Sequence, residues 1–138
     1  MLVSIEHKTQ YRRNAVVTDE QLNELFSASW PNHVTSSFRT ILSSSLVYVC
    51  AFHETTLVGY VNVAWDGRSH AFVLDPTVHP RYRRRGIGEQ LVLRSIAAAK
   101  EHGVVWVHVD FEPRLREFYV RCGFRATEAG VINLVGQA

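Results

Sequence analysis

The sequence contains little cysteine or methionine and no large excess of one charge. Among its 138 residues are two cysteines and one methionine, and the formal net charge at pH 7 is +2. Neither Cys50 nor Cys122 lies in a CxxC pair or at metal-ligand spacing, and both fall within apolar patterns. We therefore expect buried free thiols, rather than a disulfide or a catalytic thiol, and no metal site.

The chain also lacks the segments that direct a protein to a membrane. No apolar run approaches the roughly 20 residues that cross a bilayer. The first residues, MLVSIEHKTQYRRN, contain no apolar core followed by a cleavage site. These absences predict a cytoplasmic protein with no membrane partner. The small net charge does not indicate a nucleic-acid partner, and the concentration of positive charge at 81–85 indicates a local anion site instead.

What is present is the pattern of one domain, residues 1–138, with 46% hydrophobic residues and no repeat or linker. Periodicity and turn signals predict an antiparallel meander followed by a helix and a strand parallel to the third. The strands are predicted at 46–53, 57–65, 70–78 and 104–109, and the helix begins near Gly86. Pro76 inside the third strand predicts a bulge or a local break in pairing.

The two ends of the chain complete an α+β or mixed α/β pattern around one central sheet. A first strand is predicted at 3–11, and one or two closing strands at 124–135. Thr18 and Gln21 form a capping-box pattern that opens a helix, which Pro31 ends. A short second helix turns Phe38, Ile41 and Leu42 inward, and another starts at Pro113.

Residues 81–88 read RYRRRGIG, a basic turn between a predicted strand and a helix. The first N–H groups of a helix have no internal partners, and the helix dipole adds positive potential there. Gly86 and Gly88 let a ligand approach the backbone, while arginines can pair with phosphate oxygens. The stretch predicts a phosphate site, with a solvated basic turn as the alternative. The stretch does not have the spacing of the phosphate-binding motif GxxxxGK[ST]. It does not match the dinucleotide-binding motif GxGxxG either, because position 91 is Leu.

Two segments together resemble the GNAT acyltransferase superfamily. The stretch VHPRYRRRGIGEQLV resembles its signature [Arg/Gln]xxGx[Gly/Ala], which Arg83, Gly86 and Gly88 match. Downstream, FYVRCGF at 118–124 resembles the superfamily's second characteristic segment, and the gap between the two also fits. The resemblance implies a GNAT-like fold: a central, mostly antiparallel sheet with a splayed parallel strand pair, flanked by helices.

The resemblance also implies that acetyl-CoA is the acyl donor. Its pyrophosphate would lie on the backbone amides near residues 84–89, and the N–H of Val78 would hold the thioester carbonyl as it becomes an oxyanion. The adenosine 3′-phosphate could contact Arg81 or Arg84. The candidate donor-binding residues are Thr77, Val78, Arg83, Arg84, Arg85, Gly86, Ile87, Gly88 and Glu89.

Acyl transfer to an amine requires a neutral amine, a stabilised oxyanion and a proton for the leaving thiolate. Tyr119 matches the position where family members commonly place a tyrosine near the sulfur, so it is the candidate acid; a buried core tyrosine is the alternative. Some family members carry a glutamate early in the fourth strand, where this chain has Phe72. The candidate bases are His108 and Asp110, on one strand face, together with Glu112, Asp75, His79 and a water chain.

Glu112 departs from the asparagine that many members have, which makes the family's side-chain contact to CoA doubtful here. The leading hypothesis is an acetyltransferase acting on a primary amine of a small molecule or peptide, as a monomer or homodimer. The alternatives are a non-catalytic CoA-binding regulatory module and a nucleic-acid-binding domain.

Overall fold

The structure of the protein is a computed structural model that describes residues 8–136. The chain divides into two compact units, one ending at His108 and the other beginning at Val109. The first unit contains the sheet and three helices, and the second contains one short helix. That residues 1–138 form one domain stays a prediction.

The first unit contains a five-stranded sheet in the order β1-β2-β3-β4-β5, antiparallel except for the parallel pair β4–β5. Its strands are β1 (Gln10–Arg13), β2 (Val47–His53), β3 (Thr56–Trp65), β4 (His70–Val78) and β5 (Trp106–His108). Its helices are α1 (Asp19–Ser29), α2 (Arg39–Ser44) and α3 (Ile87–Glu101). The second unit contains α4 (Arg116–Arg121). This topology confirms the predicted meander and the mixed α/β class.

The local signals at α1 act as the sequence predicted. The hydroxyl of Thr18 accepts the N–H of Gln21 (3.1 Å), and the Gln21 side chain accepts the N–H of Thr18 (2.9 Å). Two amide groups that a helix start leaves unpaired are thereby satisfied. The helix ends at Ser29, before Pro31.

The sheet is covered on both faces in the first unit. On one face, the Tyr60 ring contacts Phe26 of α1 (5.7 Å between centroids) and Phe38 (6.5 Å). On the other, α3 crosses so closely over Gly59 that a Cβ there would lie 3.0 Å from Leu91 Cδ1. The glycine therefore sets the depth at which α3 lies on β3.

Two predictions were wrong, and one falls largely outside the described residues. Of the strand predicted at 3–11, residues 3–7 lie outside the described part of the chain, and β1 covers Gln10–Arg13. Ile41, which was predicted to turn inward, is exposed. No strand forms at 124–135; its apolar residues Val131, Ile132, Leu134 and Val135 are exposed. An apolar pattern predicts which side chains suit a sheet, but a strand also requires a partner for its backbone N–H and C=O groups.

Both cysteines are buried free thiols, as predicted. Burial raises the pKa of Cys50 to about 12, so this thiol stays protonated and unreactive. Within residues 8–136, no helix is long and apolar enough to cross a membrane.

Candidate active site

The turn between β4 and α3 reverses direction through two residues with left-handed backbones. A short 3₁₀ helix at Pro80–Tyr82 comes first, closed by a hydrogen bond from the N–H of Arg81 to His79 Nδ1 (3.1 Å). Arg84 then has a φ of 65° and Gly86 a φ of 81°. Alternation of such residues turns successive N–H groups toward one side, which forms an anion-binding concavity. We call residues 78–89 the donor loop.

The backbone amides of this loop are free to bind a ligand. Among the described residues, no protein group accepts a hydrogen bond from the N–H groups of 84–89. Ile87, Gly88 and Glu89 form the first turn of α3, where the helix dipole is positive. A Cβ built on Gly86 would meet no atom within 4 Å, so the space above the backbone is open. These groups fit the pyrophosphate of a nucleotide-like ligand.

The arginines of the donor loop take different positions, and all are exposed. Arg83 Nε donates to the carbonyl oxygen of Val78 (3.4 Å), which ties the loop back to the end of β4. Arg85 lies over the ring of Tyr82, with its guanidinium carbon 4.9 Å from the centroid. Within the described part of the chain, the side chains of Arg81 and Arg84 make no ion pair or hydrogen bond, so both are available to an anion.

Strand β4 contains the bulge that Pro76 predicted. Tyr60 pairs with Thr77 and Asn62 with Leu74, so Asp75 and Pro76 together lie opposite one residue of β3. Asp75 takes a left-handed φ of 53°. Such a bulge bends its strand and increases the local twist.

The bulge decides which amide of β4 faces away from β3. Because the N–H of His79 donates to the carbonyl of Val58 (2.8 Å), the N–H of Val78 points to the opposite edge. The ladder with β5 ends at Phe72, so no strand of the described chain takes this N–H. Val78 therefore offers a backbone donor at an open sheet edge; that it holds a thioester carbonyl stays a prediction.

The Thr77 side chain is already engaged with other protein groups. It is buried, accepts the indole N–H of Trp30 (3.0 Å) and donates to the carbonyl of Asp75 (2.9 Å). Its hydroxyl thus links α1 to the bulge.

Four aromatic side chains lie near the start of β4 and on β5. They are on the same face of the sheet that α1 covers near the end of β4. Parallel pairing sets His70 beside Trp106 and Phe72 beside His108. The Phe72 and His108 rings stack at 4.7 Å and 18°, and His70 Nδ1 lies 2.8 Å from His108 Nε2. Phe72 is 39% exposed and Trp106 55%. We call His70, Phe72, Trp106 and His108 the histidine patch.

In the second unit, Tyr119 is buried among aromatic rings, with Phe111 stacked on it at 5.0 Å. Burial raises the pKa of its phenol, and Cys122 and Asp110 add to the effect, so the group is protonated at neutral pH. Within residues 8–136, no protein group forms a hydrogen bond with its oxygen. A protonated phenol whose oxygen is not engaged by the protein is a suitable proton donor.

The other sequence candidates are placed less favourably. Strand β5 ends at His108, so the alternation that set Asp110 on the same face does not reach that residue. Glu112 precedes a 3₁₀ helix without capping it and instead pairs with Arg114 (3.0 Å). Desolvation, with Arg81 and Arg83 nearby, lowers the pKa of His79, whose Nδ1 is occupied by the Arg81 N–H.

Sequence reasoning did not select His70, because only the parallel register of β4 and β5 brings it diagonal to His108. The residues that the structure describes contain no cluster of three or more His, Cys, Asp or Glu side chains that could hold a metal ion.

Comparison with known families gives one match that covers most of the chain. A model described as the acetyltransferase (GNAT) family matches residues 17–124. A curated relative, the chloroplastic GCN5-related N-acetyltransferase 1 of Arabidopsis thaliana, is 26% identical over 119 residues, covering 84% of this chain. The chain spans 60% of that relative's length.

Solved structures share the fold. A GNAT-family acetyltransferase of Streptococcus pneumoniae superimposes with a TM-score of 0.73 at 27% identity, covering 92% of this chain and 99% of that one. An aminoglycoside N-acetyltransferase in complex with CoA gives a TM-score of 0.72 at 19% identity, covering 91% and 93%. At that identity the second likeness concerns the fold alone.

Proposed function

The chain belongs to the GNAT family of acetyltransferases, and we propose that it transfers an acetyl group from acetyl-CoA to a primary amine of a small molecule or peptide. The reaction proceeds by direct attack of the amine while both substrates are bound.

The donor loop is the observation that carries this proposal. Its unpaired amides at 84–89 and the left-handed Gly86 fit a pyrophosphate, and the N–H of Val78 lies free at the adjoining sheet edge. A free N–H beside a bound thioester stabilises the negative charge that develops on the carbonyl oxygen. Both halves of the site are made of backbone, so donor binding depends little on which side chains the loop carries.

The remaining roles fall to side chains. We assign His108 as the base that takes the proton of the attacking amine through a chain of water molecules, because β5 sets it beside Phe72, five residues of β3 away from the position of Val78. Its ring is exposed and fixed against Phe72. We assign Tyr119 as the acid that protonates the leaving thiolate, since its phenol is protonated at neutral pH and no group of residues 8–136 hydrogen-bonds to its oxygen. Asp110 is not needed for either step and serves to attract a cationic acceptor.

A non-catalytic CoA-binding regulatory module is the second candidate. The observation that favours it is Phe72, an aromatic ring where some family members carry a glutamate. Such a module would bind CoA with the same donor loop and would show no turnover.

Two measurements separate these functions. Acetyl-CoA that binds the folded state should raise its stability, by about 2.7 kcal/mol at a ligand concentration of 100 Kd. Incubation with a panel of primary amines should then release free CoA thiol. Absence of any thermal shift at saturating acetyl-CoA would sink both functions, and a shift without turnover on any amine would leave the regulatory module. Cytoplasmic location and the monomer-or-homodimer state stay predictions.

A further inference from the structure

The histidine patch contains a feature that the proposed reaction does not yet use. His70 Nδ1 and His108 Nε2 lie 2.8 Å apart, with ring centroids at 5.0 Å. At this distance the two nitrogens share one proton, so one ring donates and the other accepts. The direction of that hydrogen bond fixes the tautomer of His108.

Only one direction is compatible with His108 as a base. If His70 donated, Nε2 of His108 would be occupied and the neutral ring would carry its own proton on Nδ1, which leaves no free lone pair. If His70 accepts, His108 carries its proton on Nε2 and leaves Nδ1 unprotonated.

We propose that His70 is a positioning residue whose Nδ1 accepts the Nε2–H of His108, so that Nδ1 of His108 is free to take the proton of the acceptor amine through a chain of water molecules. This inference rests on the proposed function and names a residue that acts through the base. His70 itself touches no reacting atom.

The hydrogen bond strengthens as the proton is transferred. When Nδ1 takes the proton, His108 becomes an imidazolium, and its Nε2–H bond to the neutral His70 ring becomes charge-assisted. An interaction that is stronger after the transfer than before it lowers the barrier. The stacked Phe72 ring holds the plane of His108, so both nitrogens keep their directions.

The proton and electron balance closes with groups already named. The lone pair of the neutral amine forms the C–N bond, an N–H bond of the attached nitrogen breaks, and its proton passes through water to Nδ1 of His108. The C–S bond breaks, and the thiolate takes the proton of the Tyr119 phenol. Proton exchange with solvent then returns His108 to its neutral form and Tyr119 to its phenol.

The turn before β4 holds His70 in place. The Asp66 carboxylate accepts the backbone N–H groups of Arg68 (2.7 Å), Ser69 (2.8 Å) and His70 (3.1 Å). Those bonds lower the pKa of Asp66, so the turn is fixed by a carboxylate at neutral pH. The carboxylate bonds the backbone of His70, and the only side chain hydrogen-bonded to the imidazole in residues 8–136 is His108.

Two substitutions of His70 separate acceptance of a hydrogen bond from ring packing. His70→Asn places an amide oxygen near the position of Nδ1 and can still accept the Nε2–H. His70→Phe keeps an aromatic ring and cannot accept. We expect kcat of His70→Asn to stay within about threefold of wild type and that of His70→Phe to fall by about tenfold or more, with KM for acetyl-CoA unchanged in both. His102→Phe, an exposed change at the end of α3, is the matched control.

The tautomer itself gives a readout independent of turnover. With ¹⁵N-labelled histidine, NMR should find His108 protonated on Nε2 in the wild type and in His70→Asn, and a mixture of tautomers in His70→Phe. Equal loss of kcat in both His70 variants, full activity of His70→Phe, or a wild-type His108 protonated on Nδ1 would each overturn the inference. If the wild type acetylates no amine, the proposed function fails, while the NMR result still decides how the two rings are bonded.

Discussion

The donor loop and the histidine patch flank the same strand and are built on opposite principles. The donor loop presents N–H groups of residues 78 and 84–89, and its arginines are exposed around them. The histidine patch presents ring atoms of His70 and His108, held by strand register and stacking. The geometry of the donor loop depends on backbone φ angles, whereas that of the histidine patch depends on which side chains are present. A substitution should therefore act on donor binding and on chemistry by different routes.

The largest test of this comparison removes a phenol oxygen from each unit. Tyr119→Phe should lower kcat by about 100-fold, because the leaving thiolate loses its acid, and should leave the thermal shift with acetyl-CoA unchanged. Tyr82→Phe in the donor loop should change neither value, because the ring over which Arg85 lies is kept. Steady-state kinetics and melting curves measure both. Equal kcat values for the two variants would remove Tyr119 from the mechanism.

A second test disturbs the support that both regions share. Gly59→Val inserts methyl groups where a Cβ alone would lie 3.0 Å from Leu91 and 3.2 Å from Ile87. Overpacking of this kind costs about 1–3 kcal/mol of unfolding free energy, measurable by urea denaturation. Gly130→Val, where a Cβ meets nothing within 4 Å, is the control and should be neutral. Wild-type stability of Gly59→Val would mean that α3 does not rest on this glycine.

A third test compares the two ends of α3. Gly86 and Gly103 both have a φ of 81° and open space around a Cβ. Valine at either position should cost about 1–2 kcal/mol of stability, because an L-residue is strained there. Only Gly86→Val should weaken acetyl-CoA binding, measured by calorimetry, because only Gly86 lies among the donor amides. Equal affinities for the two variants would contradict a backbone-built donor site.

The smallest effect is expected at the arginine run. Arg81→Ala should raise the Kd of acetyl-CoA about twofold at low salt and less at high salt, because an exposed charge is screened. Titrations at two ionic strengths measure this. A larger loss of affinity in Arg81→Ala than in Gly86→Val would show that side chains, not amides, hold the phosphates.

The sequence predicted the meander, the parallel pair and the donor loop because local signals specify them. The capping box at Thr18 and the bulge at Pro76 each rest on neighbouring residues, and both are present in the structure. The predicted strand 70–78 matches β4 in full.

What the sequence could not predict depends on pairing between distant residues. The apolar pattern at 124–135 resembles a strand, but no ladder partner for it follows from local residues. His70 has no distinguishing neighbour in sequence, and its role follows only from the β4–β5 register, which sets it against His108. Contacts between residues distant in sequence thus explain why the strand predicted at 124–135 is absent and why His70 was not selected.

Because of the bulge at Asp75 and Pro76, the number of residues in β4 decides whether the N–H of Val78 faces the opening beside the strand. One surplus residue turns the strand so that Val78 faces outward, and no particular side chain is required for that effect. A relative could keep every residue named above and lose the donor N–H by a single deletion in this strand. Counting the residues between Asp66, in the turn before β4, and Gly86 is therefore a better guide to active relatives than scoring those residues one at a time.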